Sequence, residues 1–116
     1  MSAEAFRRLA LALPQAVEFA QMGQPDFRVG GKTFASLWPA GERGILKLTP
    51  EQQDMLAAAE PELFAPVSGV MGRKGWTRME FAGADEATMK SVLGMAWRNT
   101  APKRLAAVHE EARHDA

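Results

Sequence analysis

The run GGKT, Gly30 to Thr33, is a stretch of this sequence whose residue types suggest chemistry, because a Gly-Lys-Thr run can close a phosphate-binding loop. Such a loop also needs a glycine five positions before its Gly-Lys pair and a helix directly after it. Asp26 occupies that earlier position, and the following TFASLW is typical of a strand. A carboxylate also fits poorly in a loop whose backbone N–H groups must face phosphate. We therefore do not interpret GGKT as a nucleotide site.

The same residues fit the tip of a β-hairpin. Gly30-Gly31 can form a two-residue turn of the primed type, in which both residues take positive φ. This turn predicts Phe27 opposite Phe34 on one face of the hairpin and Arg28 opposite Thr33 on the other.

A second candidate is the glycine-rich segment SGVMGRKGWTR, residues 68–78, which contains three basic side chains and one tryptophan. A flexible basic loop that leads into an aromatic residue could hold a nucleic-acid backbone and stack on a base. With the hairpin, it supplies a hypothetical nucleic-acid-binding set: Arg28, Lys32, Arg73, Lys74, Trp76 and Arg78. The alternative is a glycine-rich connection with a solvated basic tip, in which Trp76 packs at the edge of the core.

Catalytic and metal-binding patterns are not found in the sequence. His109 and His114 are five residues apart on the last predicted helix, so they point to different faces and cannot share a metal ion. The chain has no cysteine, which excludes disulfides, thiol catalysis and cysteine-ligated zinc. No serine lies in a G-x-S-x-G context. We predict that the protein is not an enzyme and binds no metal or cofactor.

Composition indicates one globular domain over residues 1–116, because 47% of the residues are hydrophobic and 24% are charged. Fourteen basic residues balance fourteen acidic ones, so nucleic-acid binding would need a local basic patch. The apolar run near the start is too short to span a bilayer and fits a first helix rather than a signal peptide. Together with the absence of cysteine, this predicts a cytoplasmic protein that does not bind membranes. The sequence does not fix the oligomeric state, and a monomer is favoured.

Hydrophobic periodicity predicts the elements that position these residues. Ser2 caps a first helix, and short β-type runs follow between Ala16 and Leu48, separated by GQP, GG and PAGERG. Thr49 and Gln52 form the capping box of a second helix. Residues 62–75 are predicted to be irregular, and WTRMEF then alternates as a strand.

Two more helices complete the predicted order. Asp85 caps a third helix with one apolar stripe, formed by Met89, Val92, Leu93, Ala96 and Trp97. Pro102 ends it, and a last, more polar helix follows with Leu105, Val108 and Ala112 directed inward. Trp38 and Trp97 are interpreted as core aromatics. This order predicts an α+β fold with a mainly antiparallel sheet and helices packed on one face.

Four motifs in order give the chain a resemblance to a known family. GQPDFRVGGKTFASL, LKLTPEQ, GRKGWTRMEF and LGMAWRNTAPKRL together resemble the YjbR/MmcQ family of small bacterial proteins, from about Phe6 to Leu105. The positions that match the family's motifs are Gly23, Pro25, Phe27, Arg28, Gly30, Gly31, Lys32, Phe34, Gly75, Trp76, Trp97 and Pro102. Many such proteins have a histidine just before the Gly-x-Pro, whereas this chain has Met22.

The resemblance implies a curved antiparallel sheet with flanking helices, similar to CyaY-like and double-wing domains. It also implies DNA binding, by analogy with those double-wing proteins that bind DNA. Two hypotheses follow. The first is a nucleic-acid-binding protein that uses the six residues above. The second is a protein- or small-ligand-binding domain that uses the open face of the sheet or a groove beside Trp76.

We expect no stoichiometric metal in the purified protein, because the two histidines cannot share an ion and thiols are absent. Elemental analysis tests this expectation. Zinc at one equivalent, lost in His109→Ala or His114→Ala, would contradict it.

Overall fold

A computed structural model describes residues 2–21, 23–38 and 42–107. Its elements are α1 (Ala3–Leu11), β1 (Val17–Gln21), β2 (Gln24–Val29), β3 (Lys32–Trp38), β4 (Arg43–Lys47), α2 (Pro50–Ala59), β5 (Phe64–Pro66), α3 (Val70–Arg73), β6 (Trp76–Glu80) and α4 (Glu86–Thr100). A further helical segment, α5, covers residues 103–107. Among the described residues, no helix is both long and apolar enough to cross a membrane.

The six strands form one antiparallel sheet in the order β1-β2-β3-β4-β6-β5. Helices α1 and α4 pack against β3 and β4 and against each other. They cover one face of the sheet, and the side chains of the other face are half-buried or exposed in the part of the chain that the structure describes. The predicted α+β fold with helices on one face is confirmed.

The core lies between the sheet and α4. The predicted stripe of α4 is fully buried, and the Trp97 indole N–H donates a hydrogen bond to the Pro14 carbonyl at 3.0 Å. Trp38 was predicted in the core and this is wrong, because its side chain is 44% exposed at the end of β3. Successive side chains of a strand alternate between faces, and Leu37 takes the inward position.

Polar side chains cap the helices where the sequence predicts. The Ser2 hydroxyl caps α1, and Thr49 and Gln52 form the reciprocal capping box of α2. The Asp85 carboxylate accepts the backbone N–H of Thr88 at 2.7 Å, which lowers the pKa of Asp85. These caps fix the points at which the chain passes from sheet to helix.

The Gly30-Gly31 turn between β2 and β3 is confirmed. Both residues have positive φ, 59° and 80°, as a primed hairpin turn requires. Arg28 lies opposite Thr33, as predicted, so its side chain points away from α1 and α4.

The predicted pairing of Phe27 with Phe34 is wrong, because a β-bulge shifts the register and Phe27 pairs with Ala35. Both Phe34 and Ala35 are fully buried. The extra residue lets β3 direct two consecutive side chains into the core opposite one residue of β2.

Residues 62–75 were predicted to be irregular and contain regular structure instead. They form the short edge strand β5 and the one-turn helix α3. Elements of three and four residues are too short to produce a recognisable hydrophobic period. Of the last predicted helix, Leu105 is half-buried, while Val108 and Ala112 lie outside the described residues.

Replacing Gly31 with Val should lower the free energy of unfolding by about 1 kcal/mol or more, because a β-branched residue is strained at positive φ. No atom lies within 4 Å of the added Cβ, so this cost is conformational rather than steric. Gly31→Asn is the matched control and should cost less, since asparagine tolerates this region. Thermal melting of both variants tests the turn, and an unchanged melting temperature in Gly31→Val would contradict it.

Candidate functional site

The solvent-facing side of the sheet, opposite α1 and α4, collects alternate residues of all six strands. We call it the open face, and its members are Val17, Phe19, Asp26, Arg28, Thr33, Ser36, Trp38, Arg43, Ile45, Lys47, Ala65, Trp76, Arg78 and Glu80. The set contains four cations, two carboxylates and three aromatic rings. Strand pairing brings together residues that are up to 63 positions apart in the chain, from residue 17 to residue 80.

One continuous cross-strand row runs through the middle of the open face. Phe19 pairs with Asp26, Asp26 with Ser36, Ser36 with Ile45 and Ile45 with Arg78. The Ser36 hydroxyl donates to the Asp26 carboxylate at 2.8 Å, which fixes the orientation of the acid. The row therefore begins with the Phe19 ring, and its other apolar member, Ile45, separates the Asp26–Ser36 pair from Arg78.

Two cations of the open face lie against aromatic rings. The Arg28 guanidinium carbon is 4.7 Å from the centre of the Phe19 ring. The Lys47 ammonium is 5.4 Å from the centre of the Trp76 ring and donates to the Lys74 carbonyl at 3.0 Å. Because cation–π contacts hold a charge over an apolar surface, they orient both cations along the open face.

Glu80 lies between two arginines at one end of the open face. Its Oε2 is 3.4 Å from Arg43 Nε and 3.1 Å from Arg78 Nε, so both contacts are ion pairs by distance. Neither N–H is aligned well enough with the oxygen to form a hydrogen bond. One carboxylate is thus shared by two guanidinium groups, which leaves an excess of positive charge.

Asp26 neutralises Arg28 only weakly. Arg28 Nη2 lies 4.0 Å from Asp26 Oδ2, at the limit of an ion pair, and Arg28 Nε is buried without a hydrogen-bond partner among the described residues. Four cations against two carboxylates give the open face an excess of two positive charges, although the whole chain is neutral.

The structure divides the six predicted site residues between the open face and its surroundings. Arg28, Trp76 and Arg78 lie on the open face. Arg28 and Arg78 are three strand spacings apart, about 14 Å, so they do not form one compact cluster. Exposed Lys32 begins β3 beside the hairpin turn, and Arg73 and Lys74 are exposed at the end of α3.

The sequence prediction missed four of the cationic and aromatic members of the open face: Phe19, Trp38, Arg43 and Lys47. The alternation of Arg43, Ile45 and Lys47 in RGILK carried a usable signal, because residues two apart in a strand share a face. Trp38 and Phe19 gave no such signal, since exposed and buried aromatics in strands look alike in sequence.

The basic segment before β6 is held in place, in contrast to the flexible loop that its glycines predicted. Gln53 on α2 is buried, and its Nε2 lies 3.0–3.1 Å from the Gly72 carbonyl, the Trp76 carbonyl and the Thr77 hydroxyl. A Cβ at Gly75 would lie 1.9 Å from the Leu48 carbonyl, so only glycine fits there. These contacts fix where Trp76 enters β6.

Metal coordination has no support in the described part of the chain, where no three His, Cys, Asp or Glu side chains are arranged to hold an ion. His109 and His114 lie outside the described residues. The chemistry offered by the open face is therefore charge, hydrogen bonding and stacking.

The comparisons with known proteins establish the family. The YjbR family model matches residues 11–99, and the chain belongs to this family. The crystal structure of the Deinococcus radiodurans protein DR2400, which carries the family-model domain DUF419, has a TM-score of 0.73 and 20% identity. The match covers 84% of this chain and 77% of that one, and it shows the same fold. No curated protein matches the chain.

Replacing Gln53 with Met should lower the free energy of unfolding by about 1–2 kcal/mol, because it removes the hydrogen bonds that the buried amide donates while keeping the side-chain volume. Chemical denaturation measures the change. Asp54→Ala, on an exposed position of the same helix, is the control and should change stability by about 0.5 kcal/mol or less. Equal stability of Gln53→Met and the wild type would refute this role for Gln53.

Proposed function

We propose that the protein binds nucleic acid on the open face and prefers single strands to duplexes. One observation carries this proposal: the same solvent-facing surface combines four cations with three aromatic side chains. Single-stranded nucleic acid offers both matching groups, a phosphate backbone for the cations and unpaired bases for the rings. In a duplex the bases are already stacked, so the rings would contribute little.

Under this proposal, the most exposed aromatic rings stack on the unpaired bases. Trp38 is 44% exposed, and Phe19 is 48% exposed although the Arg28 guanidinium lies over one face of its ring. Trp76 is half-buried and has Lys47 over its ring, so its role is to hold a phosphate-binding cation in position. This assignment differs from the sequence hypothesis, in which Trp76 itself stacks on a base.

Electrostatics then limits the affinity. Since the net charge of the chain is zero, long-range attraction is weak and binding depends on the local excess on the open face. With Arg73 and Lys74 at the margins, we expect about three to five phosphates to be engaged. The slope of log affinity against log salt for a single strand should then be roughly −2 to −3.5.

Titration of random single-stranded and duplex oligonucleotides at low salt tests the proposal. Changing Arg28 and Arg78 together to Ala should weaken binding to all sequences and flatten the salt slope by up to about 1.4 units. Trp38→Ala should cost on the order of 1–3 kcal/mol, mainly on single strands. Melting curves must show that these variants remain folded.

The matched control changes Lys90 and Arg104 together to Ala, which removes the same charge from exposed helical positions. It should leave the affinity nearly unchanged. Equal losses in both double variants, or no binding up to high micromolar protein, would contradict the proposal.

Protein binding is a second candidate, favoured by the edge strand β1. Val17 and Phe19 on β1 are each 48% exposed, and β1 has no second strand neighbour in the described part of the chain. An extended peptide can add to such an edge through main-chain hydrogen bonds. This candidate would be favoured if the protein does not bind oligonucleotides but binds an extended peptide, with amide chemical-shift changes confined to β1.

A further inference from the structure

A cleft of about 600 Å³ lies between the tip of the β2–β3 hairpin and the end of α4. Gly30 and Pro102 approach each other closely at this cleft, since a Cβ at Gly30 would lie only 3.0 Å from the proline ring. Lys32 lines the hairpin side, and residues 98–103 line the helix side. The cleft is separate from the open face and meets the sheet at its hairpin end.

The charge of the cleft has one sign. Lys32, Arg98 and Lys103 line it, and none of its described lining residues is acidic. The C-terminal end of α4 contributes about half a negative charge, which the three cations outweigh. Arg98 also has interactions with other groups of the protein, so the two lysines are the main candidates for contact with a ligand.

Thr100 provides an independent indication of a ligand. It lines the cleft, and its Oγ1 is buried without a hydrogen-bond partner among the described residues. A threonine in a helix normally hydrogen-bonds to a preceding carbonyl, and a buried hydroxyl without a partner is destabilising. The hydroxyl is out of reach of solvent in this rotamer, so a ligand in the cleft would accept its hydrogen bond after a rotation about χ1.

We propose that the cleft binds a phosphate monoester group, with Lys32 and Lys103 contacting its charge and Thr100 donating a hydrogen bond. A phosphate monoester carries close to two negative charges at neutral pH and several acceptor oxygens, which match two ammonium groups and one hydroxyl. Its source is either a small phosphorylated molecule or the 5′-phosphate end of a nucleic-acid strand. The Asn99 amide beside the cleft donates to the Lys47 carbonyl at 3.1 Å, so the cleft adjoins β4 of the sheet.

Inorganic phosphate is the first probe, titrated against chloride at constant ionic strength and followed by amide chemical shifts. We expect saturable shifts at Lys32 and residues 98–103, with a dissociation constant on the order of 1 mM. Lys103→Ala should weaken binding roughly 3- to 10-fold, whereas Lys90→Ala on the exposed side of α4 should leave it unchanged. Chemical shifts that do not saturate would overturn the proposal. An equal loss of phosphate affinity in Lys103→Ala and Lys90→Ala would also overturn it.

Thr100→Val gives a readout that a structural role would not produce. Loss of an unpartnered buried hydroxyl should keep or raise the melting temperature while phosphate binding weakens several-fold. A lower melting temperature with unchanged phosphate affinity would show that the hydroxyl serves the fold, and it would refute the assignment.

The two sources are separated by a matched pair of oligonucleotides, identical except for a 5′-phosphate. Tighter binding of the phosphorylated strand, abolished in Lys103→Ala, identifies a strand end as the ligand. Equal affinity, together with saturable binding of inorganic phosphate, identifies a small phosphorylated molecule. This phosphate site does not depend on the open face. The two proposals are therefore tested separately, and either can be refuted without the other.

Discussion

Burial of the α4 stripe against β3 and β4 determines which side of every strand faces solvent. Each large side chain in this seam contributes about 1.5–3 kcal/mol when it leaves water, so the five stripe residues strongly favour one register. A one-residue slip of β4 would place Arg43, Ile45 and Lys47 in the core and expose Leu46. The composition of the open face is thus a direct consequence of the core.

The same constraint explains what could be predicted from sequence. Helix α4 has a long, regular apolar period and a clear N-terminal cap, so its buried face was assigned correctly from the chain alone. The bulge at Phe34 was not predictable in this way, because it depends on space in the core that only the assembled helices define. The exposure of Trp38 likewise depends on its register beyond that bulge.

The candidate site was predicted only in part, for a related reason. Arg28 and Arg78 were found because each adjoins a recognisable motif, but the sequence does not show that they share a face with Lys47 and Arg43. That information lies in the strand order, in which β6 pairs with β4 on one side and with β5 on the other. Lys32 was grouped with Arg28 because the two residues are close in sequence. The hairpin turn places Lys32 instead beside the cleft at the end of α4.

The three tryptophans provide the most direct test that nucleic acid binds the open face, because they sample both sides of the sheet. Trp38 and Trp76 lie on the open face. Trp97 lies on the buried side of α4, where its indole N–H donates a hydrogen bond to the Pro14 carbonyl. During titration with an unphosphorylated single-stranded oligonucleotide, the indole N–H signals of Trp38 and Trp76 should shift to saturation while that of Trp97 stays in place. Saturable binding that leaves Trp38 and Trp76 unshifted would contradict the account.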